Sequence, residues 1–490
     1  MAHPLAATAM LAAVAALASL AVYLWNGAPL FYYDTAGYLS QGHSMVDAIS
    51  QAVMPAAPVA DGGPAPAAAI APDTSVDASR SAVYALALAS LDALAGLDAA
   101  VFVNLALIWL ALFLAARHLG DPGLGPALRL SSLGLLAASL GALPFYVAFL
   151  MPDILAAVMI VLLALIFTYL PKMTRGELLT SGALALAAIV AHPSHLLVAA
   201  ALLPIGLFAS PVMAQRRLWV SVALIGLLVG VGVAEKFIFG AAVSYFEKKE
   251  ARYLPFLTAR LIVDGPGMVY LQDHCPDQAL ATCALYDRLS GSEREARLFA
   301  PIILFSASPE TGSYRLLTDD QQQAISQEQP AFVLSVIRDA PLAVLGTLVR
   351  NTAVQLGYYR VDMTVPDPGL LAKLQSENGQ DTANLRNGRL VETALRWKAT
   401  LSRLHGLVYA LSVVAIGWSL VRTRRARPDL RVFAGLVLTG IVVNALVCGG
   451  VSEPADRYGA RVMFLLPALA AMLWAAGQRW GGQGSTAHPA

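Results

Sequence analysis

Residues 5–42 read LAATAMLAAVAALASLAVYLWNGAPLFYYDTAGYLSQG. No charge interrupts 5–25, and an apolar run of about 20 residues is what a helix needs to cross a bilayer. A signal peptide would carry Lys or Arg ahead of its apolar core and a small-residue cleavage site behind it. Neither is present, so 5–25 reads as a retained first transmembrane helix. Just past it, Asp34 stands alone among Phe31, Tyr32, Tyr33 and Tyr38. Two readings are open for that carboxylate: a cap on a helix starting at Thr35, or a group that does chemistry at a membrane surface.

Working outward, the whole chain follows the first run. Of 490 residues, 57% are hydrophobic and 13% charged, with mean hydropathy +0.63. Soluble domains carry about 25% charged residues. The deficit calls for an apolar solvent, so the expected fold is an all-α polytopic membrane protein. About ten spans of helical length are expected, near 5–25, 98–116, 130–150, 154–170, 178–191, 196–210, 218–240, 403–421, 432–449 and 462–478. The segment RSAVYALALASLDALAGL at 80–97 is apolar, but Asp92 within it favours an amphipathic helix lying on the membrane.

Basic residues fall on alternate connections: Arg117 and Arg129; Lys172 and Arg175; Arg216 and Arg217; Arg422 to Arg431; and Arg479. Positive charge marks cytoplasmic loops. The opposite side then holds 26–97, 151–153, 191–195, 241–402 and 449–461, which in a bacterial cell is the periplasmic face of the inner membrane. This gives an N-terminal transmembrane module over 1–240 with its first exoplasmic loop at 26–97. An exoplasmic helical subdomain follows over 241–402, then C-terminal transmembrane helices over 403–480 and a disordered tail over 481–490. The Pro/Ala/Gly-rich stretch at 52–75 reads as an extended loop. Cys275 and Cys283 lie in DHCPDQALATCALYD. On an oxidising side they would close a disulfide loop; with His274 alone they fall short of a four-ligand metal set. Cys448 lies in an apolar run and reads as inert. No nucleic-acid motif is present.

Polar groups near a bilayer are functional candidates, and here they gather on the exoplasmic side. Asp153, in FLMPDILAAVM, is either a first-turn acid after Pro152 or a second acid lining the cavity of Asp34. His192 and His195, in AHPSHLL, are either a structural helix break or donors to a sugar or phosphate; two imidazoles make an incomplete metal site. Arg457 and Arg461 are four apart on one helical face. They suit a phosphate headgroup or an ion-pair cluster with Glu453 and Asp456. Glu235, Lys236, Lys248, Lys249, Arg252 and Arg260 are weaker candidates.

The layout resembles the GT-C superfamily of integral-membrane glycosyltransferases, which use polyprenyl-phosphate-linked sugars. The matching segments are FYYDTAGYLSQG, with Asp34 at the place of the catalytic acid, and RSAVYALALASL, a second surface helix opened by Arg80. MPDILAAVM places Asp153 at a second acidic position. DRYGARVMFLLPALAAM places Arg457 and Tyr458 at an RY-then-Pro signature. The resemblance covers mainly the first 210 residues and the last 60. It implies Asp34 as general base, with Tyr33, Tyr38, Arg80, Asp153, His192, His195, Arg457, Tyr458 and Arg461 around the substrates. The implied partners are a polyprenyl-phosphate-linked sugar donor, a glycan, lipid or protein acceptor, and membrane lipids. In many members a second acid directly follows the first. Thr35 stands there instead, which weighs against a metal-assisted mechanism and leaves a single-base one open; no cofactor is fixed, and a divalent metal ion stays an option. A polysaccharide polymerase or ligase is the nearest alternative within the enzymes. A lipid or solute transporter is the main non-enzyme reading, and it would favour broken helices with charge at mid-membrane.

Overall fold

The computed structural model describes residues 2–53, 75–209, 215–275, 280–291, 298–376, 381–393, 397–423 and 427–481. The expectations for 54–74 and for the tail beyond 481 lie outside these residues. Apart from a two-stranded parallel pairing of Ser75–Asp77 with Glu250–Arg252 and an isolated bridge between Leu30 and Phe149, the described chain is helical.

Among the described residues, seven helices are long and apolar enough to cross a membrane: Leu5–Asn26, Asp98–Leu119, Ile154–Lys172, Leu218–Tyr245, Lys398–Thr423, Pro428–Val451 and Asp456–Gln478. A further pair, Asp319–Asp339 with Pro341–Leu356, passes the same test jointly but is bent by 106°. The other three expected spans are shorter helices. Residues 130–150 split into Leu124–Ala138 and Leu143–Ala148, with Pro144 beginning the second piece, where its missing N–H is tolerated. The expectation at 178–191 corresponds to Arg175–Val190, and that at 196–210 to Pro193–Ala209, which contains Pro204; residue 210 lies outside the described residues.

Ile154–Tyr169 forms the centre of the bundle. It is apolar all round and buried along almost its whole length, as expected of a helix enclosed by others. Asp98–Leu119 and Pro428–Val451 pack against it. The outermost helices turn large apolar side chains away from the protein: Leu411, Val414 and Trp418 on one, Leu227 and Phe237 on another. Such faces match a lipid solvent.

The two ends of the bundle differ in charge. At one end Arg427 binds Asp429 and the carbonyls of His118 and Leu119, Tyr169 donates to Asp429, and Arg117 pairs with Glu177. Thr174 and Glu177 form a capping box that starts Arg175–Val190 there. The acids and histidines singled out above lie at the opposite end.

That opposite end is roofed by two helices, Tyr33–Val53 and Ala82–Ala95, which pack on each other. Gly42 sits at their crossing, where a Cβ would lie 2.1 Å from the Ala85 carbonyl oxygen. Ser81 caps the second helix by accepting from the Tyr84 N–H, and its hydroxyl donates to the Val190 carbonyl. The block 241–402 divides in two. Residues 254–336 have their own hydrophobic core, including Ile262, Leu271, Leu285, Ile303 and Phe332. Val361, Leu370, Leu385 and Leu390 instead join the core of the bundle. Cys275 and Cys283 are joined in a disulfide within the first of these parts.

Candidate functional site

The backbone first brings Asp34 to Asp153. Leu30 donates to the Ala148 carbonyl, and Leu150 donates back to that of Leu30. The Asn104 amide donates to Val147 and Phe149, so three segments are pinned at one point. The Thr35 hydroxyl accepts from the Tyr32 N–H and lies 3.3 Å from the Leu150 carbonyl. The helix therefore begins at Tyr33, not Thr35, and Asp34 is a first-turn acid rather than its cap.

Asp34 is left accessible, with its side chain 36% exposed. Two guanidiniums flank it: Arg80 at 3.2 Å and Arg457 at 3.6 Å. Arg80 approaches across Gly37, where a Cβ would stand 2.8 Å from the guanidinium carbon. Glycine at 37 leaves room for this path of the Arg80 side chain to Asp34.

Beneath Asp34 lies a buried charge array. Arg457 donates from Nε and Nη2 to both oxygens of Asp153, at 2.9–3.1 Å, and Arg461 stands 3.5 Å from the same carboxylate. Burial alone would push the Asp153 carboxyl up, but Arg457 and Arg461 outweigh it and hold it down at about 2. Asp153 stands at the N-cap of Ile154–Tyr169, just before the first turn, without a capping bond; its side chain is fully buried and bound by arginine. The Arg457 guanidinium is stacked over Tyr32, 4.7 Å from the ring centre, and packs on Tyr458. The Tyr146 hydroxyl donates to its backbone carbonyl at 2.5 Å.

Arg461 is more enclosed still. Its Nη2 donates to Asn444 Oδ1, Ser194 Oγ and Cys448 Sγ, and none of the side chain is exposed. A direct role on a phosphate headgroup does not fit that packing, so Arg461 positions Asp153. Nor do Glu453 and Asp456 join the array: Glu453 binds Arg260, and Asp456 accepts from the Arg360 N–H.

His192 and His195 extend the array through Ser194. His192 Nδ1 is 2.8 Å from Ser194 Oγ, and the rings are 5.3 Å apart. Burial, with His195 and Arg461 nearby, holds His192 well below the usual imidazole range, so it is neutral. His195 Nδ1 bonds the Ala188 carbonyl across the helix break, a structural role. Tyr33 lies at the surface, half-exposed, with Lys373 over its ring and its hydroxyl 3.5 Å from Asp367. Tyr38 is 2% exposed and packs edge-on against Tyr84, so it supports the roof and does not face the opening. Burial also pushes the Tyr32 phenol up to about 12.

Of the weaker candidates, Lys236 pairs with Glu235, Arg252 with Asp319, and Arg260 with Asp264 and Glu453. Arg260 joins the 254–336 subdomain to the connection before the last span, whereas the Lys236–Glu235 pair lies within Leu218–Tyr245. Among the described residues no group of three or more His, Cys, Asp or Glu is placed to hold a metal ion. Sequence reading named Tyr32 as a neighbour of Asp34 but not as the ring under Arg457, and it overlooked Ser194 and the Cys448 contact. Only Ser194, inside AHPSH, carried a visible signal.

The chain matches no family model, and neither a curated protein nor a solved structure matches it significantly.

Proposed function

We propose that this protein is a membrane glycosyltransferase that moves a sugar from a polyprenyl-phosphate donor to a glycan, lipid or protein acceptor, with the site facing the periplasm. The observation that carries the reading is the convergence of Asp34, Arg80, Asp153 and Arg457. They come from four remote segments and form one continuous chain of alternating charges, Arg80–Asp34–Arg457–Asp153, with the accessible carboxylate between two guanidiniums. The same four positions are those that carry the resemblance to GT-C enzymes.

The chemistry follows from the arrangement. A phosphate entering beside Arg80 and Arg457 competes with Asp34 for both guanidiniums and leaves the carboxylate open to an acceptor hydroxyl. The hydroxyl proton passes to Asp34 as its oxygen bonds the anomeric carbon. The bond from that carbon to the phosphate oxygen breaks, and polyprenyl phosphate departs with the electron pair. The charge gathering on it is met by guanidiniums already in place, which need not reorganise. Asp153, bound by both arginines, keeps Arg457 aimed.

The test is transfer from polyprenyl-phosphate-linked sugars in membranes containing wild-type or D34N protein. D34N is expected to lose activity by about 10²–10⁴-fold, the usual worth of a positioned general base. Wild-type transfer by D34N at normal protein level would overturn the reading. Labelling of a cysteine placed beside Asp34 with a membrane-impermeant reagent decides the face separately.

A further inference from the structure

A cavity of about 440 Å³ lies where two spans and a roof helix end. Its wall includes Phe31, Asp92, Leu97, Asp98, Asn384 and Arg386. Asp98 begins the span Asp98–Leu119, and the span Leu5–Asn26 ends nearby, with Tyr23 donating to Asp98. The cavity therefore sits at the level where span meets headgroup region.

Its polar groups are of both signs. Asp92 is 8% exposed; its Oδ2 accepts from Asn384 and lies 3.4 Å from His43, while Oδ1 is buried with no hydrogen-bond partner. A buried carboxylate oxygen without a donor is costly. Across the cavity, Arg386 uses Nη2 to hold both oxygens of Asp98 and stays 55% exposed, with donors toward the rim. Directly alongside are apolar side chains turned outward: Leu94 at 85% exposed, with Phe102, Leu24 and Trp25.

We propose that this cavity binds the headgroup of a zwitterionic phospholipid carrying a primary amine, of the phosphatidylethanolamine type. The ammonium would donate to the outer edge of Asp98 and, with a turn of the buried carboxylate toward the cavity it lines, to Asp92, and the phosphate would meet Arg386. The acyl chains would run down the face of Phe102 and Trp25. A carboxylate lacking donors, a guanidinium with donors to spare and an adjoining lipid-facing surface match the three parts of such a molecule in order. An anionic lipid would leave Asp92 unanswered and face two carboxylates. A choline headgroup has no N–H to give.

The full-length protein in nanodiscs decides the matter. Thermal stability and retained lipid, measured by mass spectrometry, are compared in dioleoyl-phosphatidylethanolamine, its N-monomethyl and N,N-dimethyl forms, dioleoyl-phosphatidylcholine and dioleoyl-phosphatidylglycerol. Retention is expected to fall stepwise as methyl groups replace N–H donors, by about tenfold over the series, and to be weakest for the glycerol lipid. D92N and R386Q are each expected to flatten the series. Equal retention of the ethanolamine and choline lipids by wild-type protein overturns the proposal, as does preference for the glycerol lipid. Because the methylation series uses unaltered protein, a D92N chain that fails to fold leaves the test intact. Neither readout depends on sugar transfer.

Discussion

Arg457 and Asp153, 304 residues apart, are joined by a fork of hydrogen bonds inside the bundle. Neither is free to leave: Asp153 also faces Arg461, and Arg457 is sandwiched by Tyr32 and Tyr458. Removing one partner strands the other charge, which costs about 3–5 kcal/mol. D153N and R457M should each lower thermal stability in detergent sharply. The double variant should be less destabilised than the sum of the two, and strict additivity would show that the pair is not coupled.

Asp34 should behave in the opposite way. Its carboxylate is partly open to solvent, where such contacts contribute about 0–1 kcal/mol, and Arg457 keeps its fork on Asp153 without it. D34N should keep wild-type melting behaviour and expression while losing transfer. A large drop in melting temperature would make Asp34 structural.

How much of this was legible follows from the same two acids. Both were visible as lone carboxylates at the ends of apolar runs, because composition and spacing report where polar groups enter a membrane. What the sequence hid was the partner. Asp153 read as a helix-start acid, yet its charge is settled by Arg457 and Arg461, whose proximity is a product of tertiary packing. Arg461 likewise read as a phosphate ligand from its spacing, and burial makes it a strut. The expected span near 130–150 is divided before Pro144, because hydropathy sums across such a break, whereas 196–210 corresponds to one helix with Pro204 inside it. The disulfide was inferred from compartment and spacing, and the two cysteines are joined.

Acid should weaken the fold in two stages. His192 is neutral when folded, with its affinity for protons held well below the usual range, whereas an unfolded imidazole takes one up below about pH 6.5. Stability from this group is present above that pH and declines as pH falls below it. Asp153, held at about 2 against an ordinary 3.8, contributes stability above pH 3.8 that is lost as pH falls toward 2. H192N should shrink the first stage without abolishing it, because burial likewise holds His195 down at about 3. A melting profile flat between pH 7 and pH 5 in the wild type would contradict the neutral assignment.

The crossing of the two roof helices tolerates no side chain at Gly42, because a Cβ there would collide with the Ala85 backbone. G42V should separate the helices and displace Arg80 from Asp34, reducing transfer. Limited proteolysis within 75–97 should rise in parallel, and unchanged protease resistance together with full activity would refute the close approach.

The disulfide closes a short loop, with a sequence separation of 8 between Cys275 and Cys283. Loop-closure entropy for that length amounts to about 2.5 kcal/mol. C275S/C283S should loosen the core around Leu271 and Leu285, seen as faster hydrogen exchange there, while the bundle exchanges as before. Alkylation of unreduced protein should leave both thiols unmodified.

The long reach from Asp153 to Arg457 also bears on synthesis. A ribosome adding about 5–20 residues per second needs roughly 15–60 s to travel from one to the other. Throughout that interval the nascent chain carries a carboxylate at the bilayer border with no counter-charge of its own. Insertion of the last helix supplies the missing cation, so it completes the electrostatics of a helix laid down most of a minute earlier. Truncation shortly before that helix should therefore leave a chain that the membrane's quality-control proteases recognise and clear.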